Sequence, residues 1–175
     1  IAQRFFASPY SGREFDCWGV NAYQDSVGIC QNVYKHLPRK AGRFGVVPEV
    51  GLNVPDRGKN RLEGERRQAE YVPQSYLQLF ADAPFFTYVT FFITMYHQYG
   101  IFDTNWQPRP AAGAYAVMTD RLGAGKVEKK EPLSGGELYF WRRINGDIVG
   151  VGWSSRPQPV FVETDADTLT VDDLY

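Results

Sequence analysis

The chain has 175 residues, 43% hydrophobic, 15% aromatic and 22% charged, with 19 basic against 20 acidic residues and a formal net charge of −1. That length suits one domain, or one and a piece of another; the apolar fraction excludes wholesale disorder, and the charge balance gives no electrostatic reason to bind nucleic acid. Cys17 and Cys30 are too few for a disulfide scaffold, and the longest apolar stretch, residues 85–96, is broken by Thr87, Thr90 and Thr94 and is too short to span a membrane.

Residues 1–7 read as the end of a helix, with Pro9 and Gly12 as breakers. Residues 15–23 are a short apolar run bounded by polar residues, which predicts a buried strand. Residues 33–40 read as a helix with Val33, Tyr34 and Leu37 on one side and Gly42 as its stop. The run at 44–51 is continuous rather than alternating, as suits a parallel strand covered on both faces. After a polar loop at 53–60, residues 61–82 carry charge first and apolar side chains later, an amphipathic helix interrupted or kinked near Pro73. Aromatic and β-branched residues at 85–95 predict a third strand, 96–110 a loop, and 111–122 a helix closing at Gly123.

From Val127 the texture changes to four short runs, 137–143, 147–153, 159–163 and 169–174, with Asn145-Gly146 as a hairpin signal between the first two. Residues 122–126 read as a helix stop and linker. Alternating β and α elements imply an α/β fold with a parallel sheet, followed by a small antiparallel sheet. Three parallel strands alone would leave long apolar edges uncovered, and the chain opens on Ile1, so it is expected to be part of a longer protein.

The sharpest chemical feature is Glu49 at the carboxyl end of an apolar strand, where parallel α/β folds place reactive groups. A carboxylate there is costly to bury unless it is paired, hydrogen-bonded or used. Trp18, Asn21 and Tyr23 on the preceding strand offer aromatic and amide groups of the kind that suit a sugar ring, while a packed core is the plainer reading of Trp18. The third strand leads to Tyr96 and His97. With only His36 and His97 present, neither near a cluster of ligand spacing, a zinc site is not expected; no phosphate loop or nucleophile elbow is present either.

Taken together, these segments resemble retaining (β/α)8-barrel glycoside hydrolases, the clan of cellulases, β-xylosidases and β-galactosidases. Residues 15–23 are similar to the sixth barrel strand, 46–51 to the seventh with its nucleophilic Glu, and 68–71 to the following helix with its Gln-Ala pair. Residues 91–102 and 107–111 resemble the eighth strand and the lead into the last helix, and the tail resembles an accessory β-domain. Two positions differ from the common pattern: Pro48 stands where many relatives have a polar residue, and Tyr96 where they carry a Trp.

The resemblance implies that residues 1–126 are the carboxy-terminal part of a (β/α)8 barrel, strands six to eight with their helices, and that 127–175 are an accessory antiparallel domain. It implies Glu49 as nucleophile, oriented by Tyr23, with Tyr23, Asn21, Tyr96 and His97 lining the sugar subsite. The substrate would be an oligosaccharide, polysaccharide or other glycoside, with no cofactor, nucleic acid or membrane partner; an extracytoplasmic location is compatible with this. The general acid/base, a Glu after Asn on the fourth strand of the family, has no counterpart, since no Asn-Glu pair occurs in the chain. A complete barrel needs about 250 residues, so the 175-residue chain alone is expected to be inactive. The alternatives are a non-catalytic carbohydrate-binding or structural module, with Tyr23, Tyr96 and Trp106 as stacking surfaces, and an unrelated α/β protein.

Overall fold

The alternating apolar and amphipathic segments fold as β1 (Trp18–Tyr23), α1 (Ser26–Lys35), β2 (Gly45–Gly51), α2 (Arg61–Asp82) and β3 (Phe86–Phe91), the three strands forming a parallel sheet in the order β1-β2-β3. This computed structural model describes residues 18–23, 25–35, 45–54, 60–83, 86–91, 98–161 and 170–171. The chain divides into two compact units, Ile1–Tyr115 and Ala116–Tyr175. Each parallel strand needs a long return path, which α1 and α2 supply; the two helices pack on one another, α1 also on β1, and α2 on β2 and β3.

Helix α1 corrects the sequence reading, which began it at residue 33; it starts at Ser26. Asp25 caps it: its Oδ1 accepts the Gly28 N–H at 3.0 Å and its carbonyl accepts the Ile29 N–H at 3.1 Å. That capping outweighs the poor helix propensity of Gly28 and Asn32. Helix α2 has the expected bounds but runs through Pro73 as one element rather than breaking there. The lost backbone bond costs about 3 kcal/mol. Full burial of Val72, Leu77 and Leu79 on the same helix, at about 1.5–3 kcal/mol each, outweighs it.

Helix α3 (Pro110–Leu122) begins with a proline at its first turn, where no N–H is needed, and buries Ala111, Ala114, Met118 and Leu122. It ends at Gly123, whose φ of 55° carries no steric cost in a residue without a Cβ and whose N–H reaches the Thr119 carbonyl at 3.0 Å.

The second unit holds an antiparallel sheet of β4 (Gly125–Leu133), β5 (Gly136–Arg143) and β6 (Ile148–Trp153), in that order. Strand β4 begins inside the stretch read as a linker, at Gly125, and continues to Leu133 through residues that the sequence reading assigned to no strand. Its Lys and Glu residues and Pro132 belong to an edge strand, where charge and proline keep other chains from pairing, so its composition hid its conformation. The β5–β6 hairpin turns at Asn145-Gly146 as expected, closed by the Gly146 N–H to the Arg143 carbonyl at 3.0 Å, with only Gly146 at positive φ. Residues 159–161 and 170–171 lie outside any strand, contrary to the four-run reading; residues 162–169 and 172–175 lie outside the described residues.

The core of this sheet is Tyr139, fully buried and stacked on Trp153 at 5.3 Å, with its hydroxyl donating to Glu137 at 2.7 Å. Burial, and then the Glu137 carboxylate, raise the Tyr139 phenol well above the ordinary tyrosine range, with Lys130 opposing.

Candidate functional site

The carboxyl ends of β1 and β2 bring Asn21, Tyr23 and Glu49 together. Glu49 Oε2 accepts two hydrogen bonds, from the Tyr23 hydroxyl at 2.6 Å and from Asn21 Nδ2 at 2.8 Å. Both donors act on the same oxygen; Oε1 takes no hydrogen bond from a described residue. Burial first, then the hydrogen bond and charge of Glu49, hold the Tyr23 phenol well above its usual range. It therefore stays protonated, and a donor, across the neutral and mildly alkaline range.

A β-bulge creates this cluster. Gly19 pairs with Val46, but Asn21 pairs with Glu49, so Val20 alone stands opposite both Val47 and Pro48. The β2–β3 register slips over the same stretch, between Val47 and Val50. Pro48 has no N–H to give to a ladder, and a proline in a central strand is accommodated at an extra residue of this kind. In unbroken register Glu49 would pair with Ala22 and share its buried face. The one-residue offset moves it to the face of Asn21 and Tyr23. The departure at Pro48 thus has a structural role that a proline inside a central strand could have signalled.

Two residues to which the sequence reading gave no part in the site support the cluster. The ring of Tyr99 meets that of Tyr23 edge-on, centroids 5.4 Å apart. Gln68 of α2, fully buried, donates through Nε2 to the carbonyls of Leu52, after β2, and Tyr99, in the segment after β3, at 3.1 and 3.0 Å. Its Oε1 has no hydrogen-bond partner among the described residues. The same two segments are joined by the Val54 N–H to the Gln98 carbonyl at 2.7 Å, and buried Arg109 bonds the Gly100 carbonyl at 3.1 Å. Glu65 of α2 lies 2.8 Å from Arg61 and 3.9 Å from Arg109. Gln68 was read only as part of a Gln-Ala pair, although its spacing with Glu65, Ala69, Val72 and Tyr76 places it on the buried face of α2.

Tyr96 and His97, the other expected subsite residues, lie outside the described residues, as does His36. Among the described residues no group of three His, Cys, Asp or Glu side chains is arranged to hold a metal ion, and no helix is long and apolar enough to cross a membrane. An open cleft of about 680 Å³ runs along α2, lined by Leu52, Asn53, Glu63, Arg67 and Tyr71 among others, without Glu49. In the Glu49 cluster itself Asn21 is exposed and Tyr23 and Glu49 are half-buried.

No family model matches the chain, and neither does the sequence of any curated protein. Solved structures do. A GH2 β-galacturonidase from Eisenbergiella tayi matches with a TM-score of 0.51 at 13% identity, over 62% of this chain and 24% of that one. A family 39 glycoside hydrolase from Bacteroides cellulosilyticus WH2 matches with a TM-score of 0.54 at 15% identity, over 81% of this chain and 30% of that one. The fold is one found within glycoside hydrolases. The chain spans less than a third of the length of either.

Proposed function

We propose that this chain is the carboxy-terminal part of a retaining glycoside hydrolase, with Glu49 as nucleophile. In this reading β1, β2 and β3 are the last three strands of a (β/α)8 barrel, residues 1–126 end that barrel, and residues 127–175 form an accessory domain. Strand order without reversal and the partial coverage of much longer glycoside hydrolases support it.

The observation that carries the reading is the double hydrogen bond onto one oxygen of Glu49. Two donors on Oε2 fix the rotation of the carboxylate and leave Oε1 to attack an anomeric carbon. Tyr23 and Asn21 are the groups that hold it ready, and Tyr23 and Asn21, with Tyr96 and His97, border the sugar. As the glycosyl–Glu49 ester forms, the leaving oxygen takes a proton from a second carboxyl group about 5–5.5 Å away. That group then deprotonates the water that hydrolyses the ester, restoring both carboxyls. We assign it to the barrel strands upstream of this chain.

The test uses the intact protein and a panel of aryl glycosides and oligosaccharides. Glu49→Gln is expected to lower turnover on the order of 10⁴-fold with the fold intact. In Glu49→Gly, azide should restore cleavage and give the glycosyl azide of inverted configuration. Undiminished turnover in Glu49→Gln overturns the assignment.

A further inference from the structure

Trp106 is the one described residue other than glycine with a left-handed backbone, at φ 61°. That conformation costs a side-chain-bearing residue about 1–2 kcal/mol relative to glycine, and more weight attaches to it in a bulky residue. Packing does not account for it. The residue is 61% exposed, and the aromatic ring beside it, Phe102, is tilted with its centroid 6.3 Å away. The loop that carries it is tightly built. Asp103 Oδ1 accepts the N–H groups of Asn105 at 2.8 Å and Gln107 at 2.9 Å, the Asp103 carbonyl accepts the Trp106 N–H at 3.0 Å, and Phe102 bridges Pro108. Backbone N–H groups, that of Gln107 foremost, hold the Asp103 carboxyl below its usual range. The backbone of an exposed indole is thus fixed at a local cost that a glycine would avoid, and such outliers concentrate at binding sites.

Its place in the fold says which end of the sheet it belongs to. The loop continues the segment whose Tyr99 touches Tyr23 and whose backbone Gln68 joins to the exit of β2, so it stands at the carboxyl end of the sheet, the end that carries Glu49. The exposed amides of Asn105 and Gln107 flank the indole in sequence. An exposed aromatic face with neutral hydrogen-bonding residues on either side of it in the loop suits the C–H face and hydroxyl edge of a pyranose.

We propose that Trp106 is a stacking platform for a sugar ring of the substrate chain beyond the ring cleaved at Glu49, an inference that rests on the Glu49 reading. The substrate class is accordingly an oligosaccharide or polysaccharide rather than a simple glycoside. The intact protein and its Trp106→Gly variant would be compared on an oligosaccharide series and on the aryl monoglycoside of the same sugar. Glycine suits φ 61°, so the variant should melt no lower than the native protein. KM for the oligosaccharides should rise about tenfold, while kcat/KM for the monoglycoside stays within about twofold, and Trp106→Phe should recover part of the loss. An unchanged oligosaccharide KM, or an equal loss on both substrates, overturns the platform. A protein that cleaves no glycoside refutes the Glu49 reading instead. The platform is then judged by titrating both proteins with the same oligosaccharides: binding by the native protein alone supports it, and equal binding or none overturns it.

Discussion

Replacing Gln68 with leucine removes the donor that joins the segments after β2 and β3. Two half-buried carbonyls, those of Leu52 and Tyr99, lose a bond of 3.1 and 3.0 Å, and each acceptor left unpaired away from water costs about 1–3 kcal/mol. The substitution also removes Oε1, a buried acceptor that has no partner, and this returns about 1–2 kcal/mol. At the middle of these ranges the net loss is about 2.5 kcal/mol, a fall in Tm of roughly 5–10 °C for a chain of this size. Urea unfolding with an unchanged slope and a lower midpoint would register it. Hydrogen exchange localises it: the Val54 amide, bonded to the Gln98 carbonyl at 2.7 Å, should exchange faster, while amides of β5 keep their rates relative to global stability. A variant within about 0.5 kcal/mol of the native protein, with an unchanged Val54 amide, would refute the reasoning.

Tyr139 makes stability depend on alkaline pH. Its folded form holds the phenolic proton more tightly than the unfolded chain, so its contribution is complete below about pH 10 and is lost as pH rises through the higher folded value. Urea midpoints between pH 9 and 11.5 should fall more steeply for the native protein than for Tyr139→Phe, and parallel slopes would contradict this. Burial pushes the Cys30 thiol up to about 12, which leaves little thiolate at neutral pH. Its alkylation at pH 8, followed by peptide mass, should run at least about 10³-fold slower in the native protein than in urea; similar rates would show the thiol to be accessible.

The elements that the sequence disclosed are those whose local and tertiary demands agree. The valines of β2, the 22-residue amphipathic α2 and the Asn145-Gly146 turn each have a pattern that only one conformation satisfies. Strand β4 was hidden because an edge strand is selected for charge rather than for apolar alternation. Helix α1 was hidden because its start depends on a cap at Asp25 and not on periodicity.

The site divides the same way. Sequence alone determined that a carboxylate, Glu49, closes an apolar strand next to one that ends in Asn21 and Tyr23, because residue type and order along a strand are local properties. Tertiary structure decided that these three share a face, since that depends on a bulge at Pro48 that shifts one strand against its neighbour by a single residue. It also decided the places of Tyr99 and Gln68, whose relation to the strand ends runs through contacts between segments far apart in the chain. Pairing register and backbone strain are set by what lies across a strand or a loop, and a single residue string carries that only indirectly.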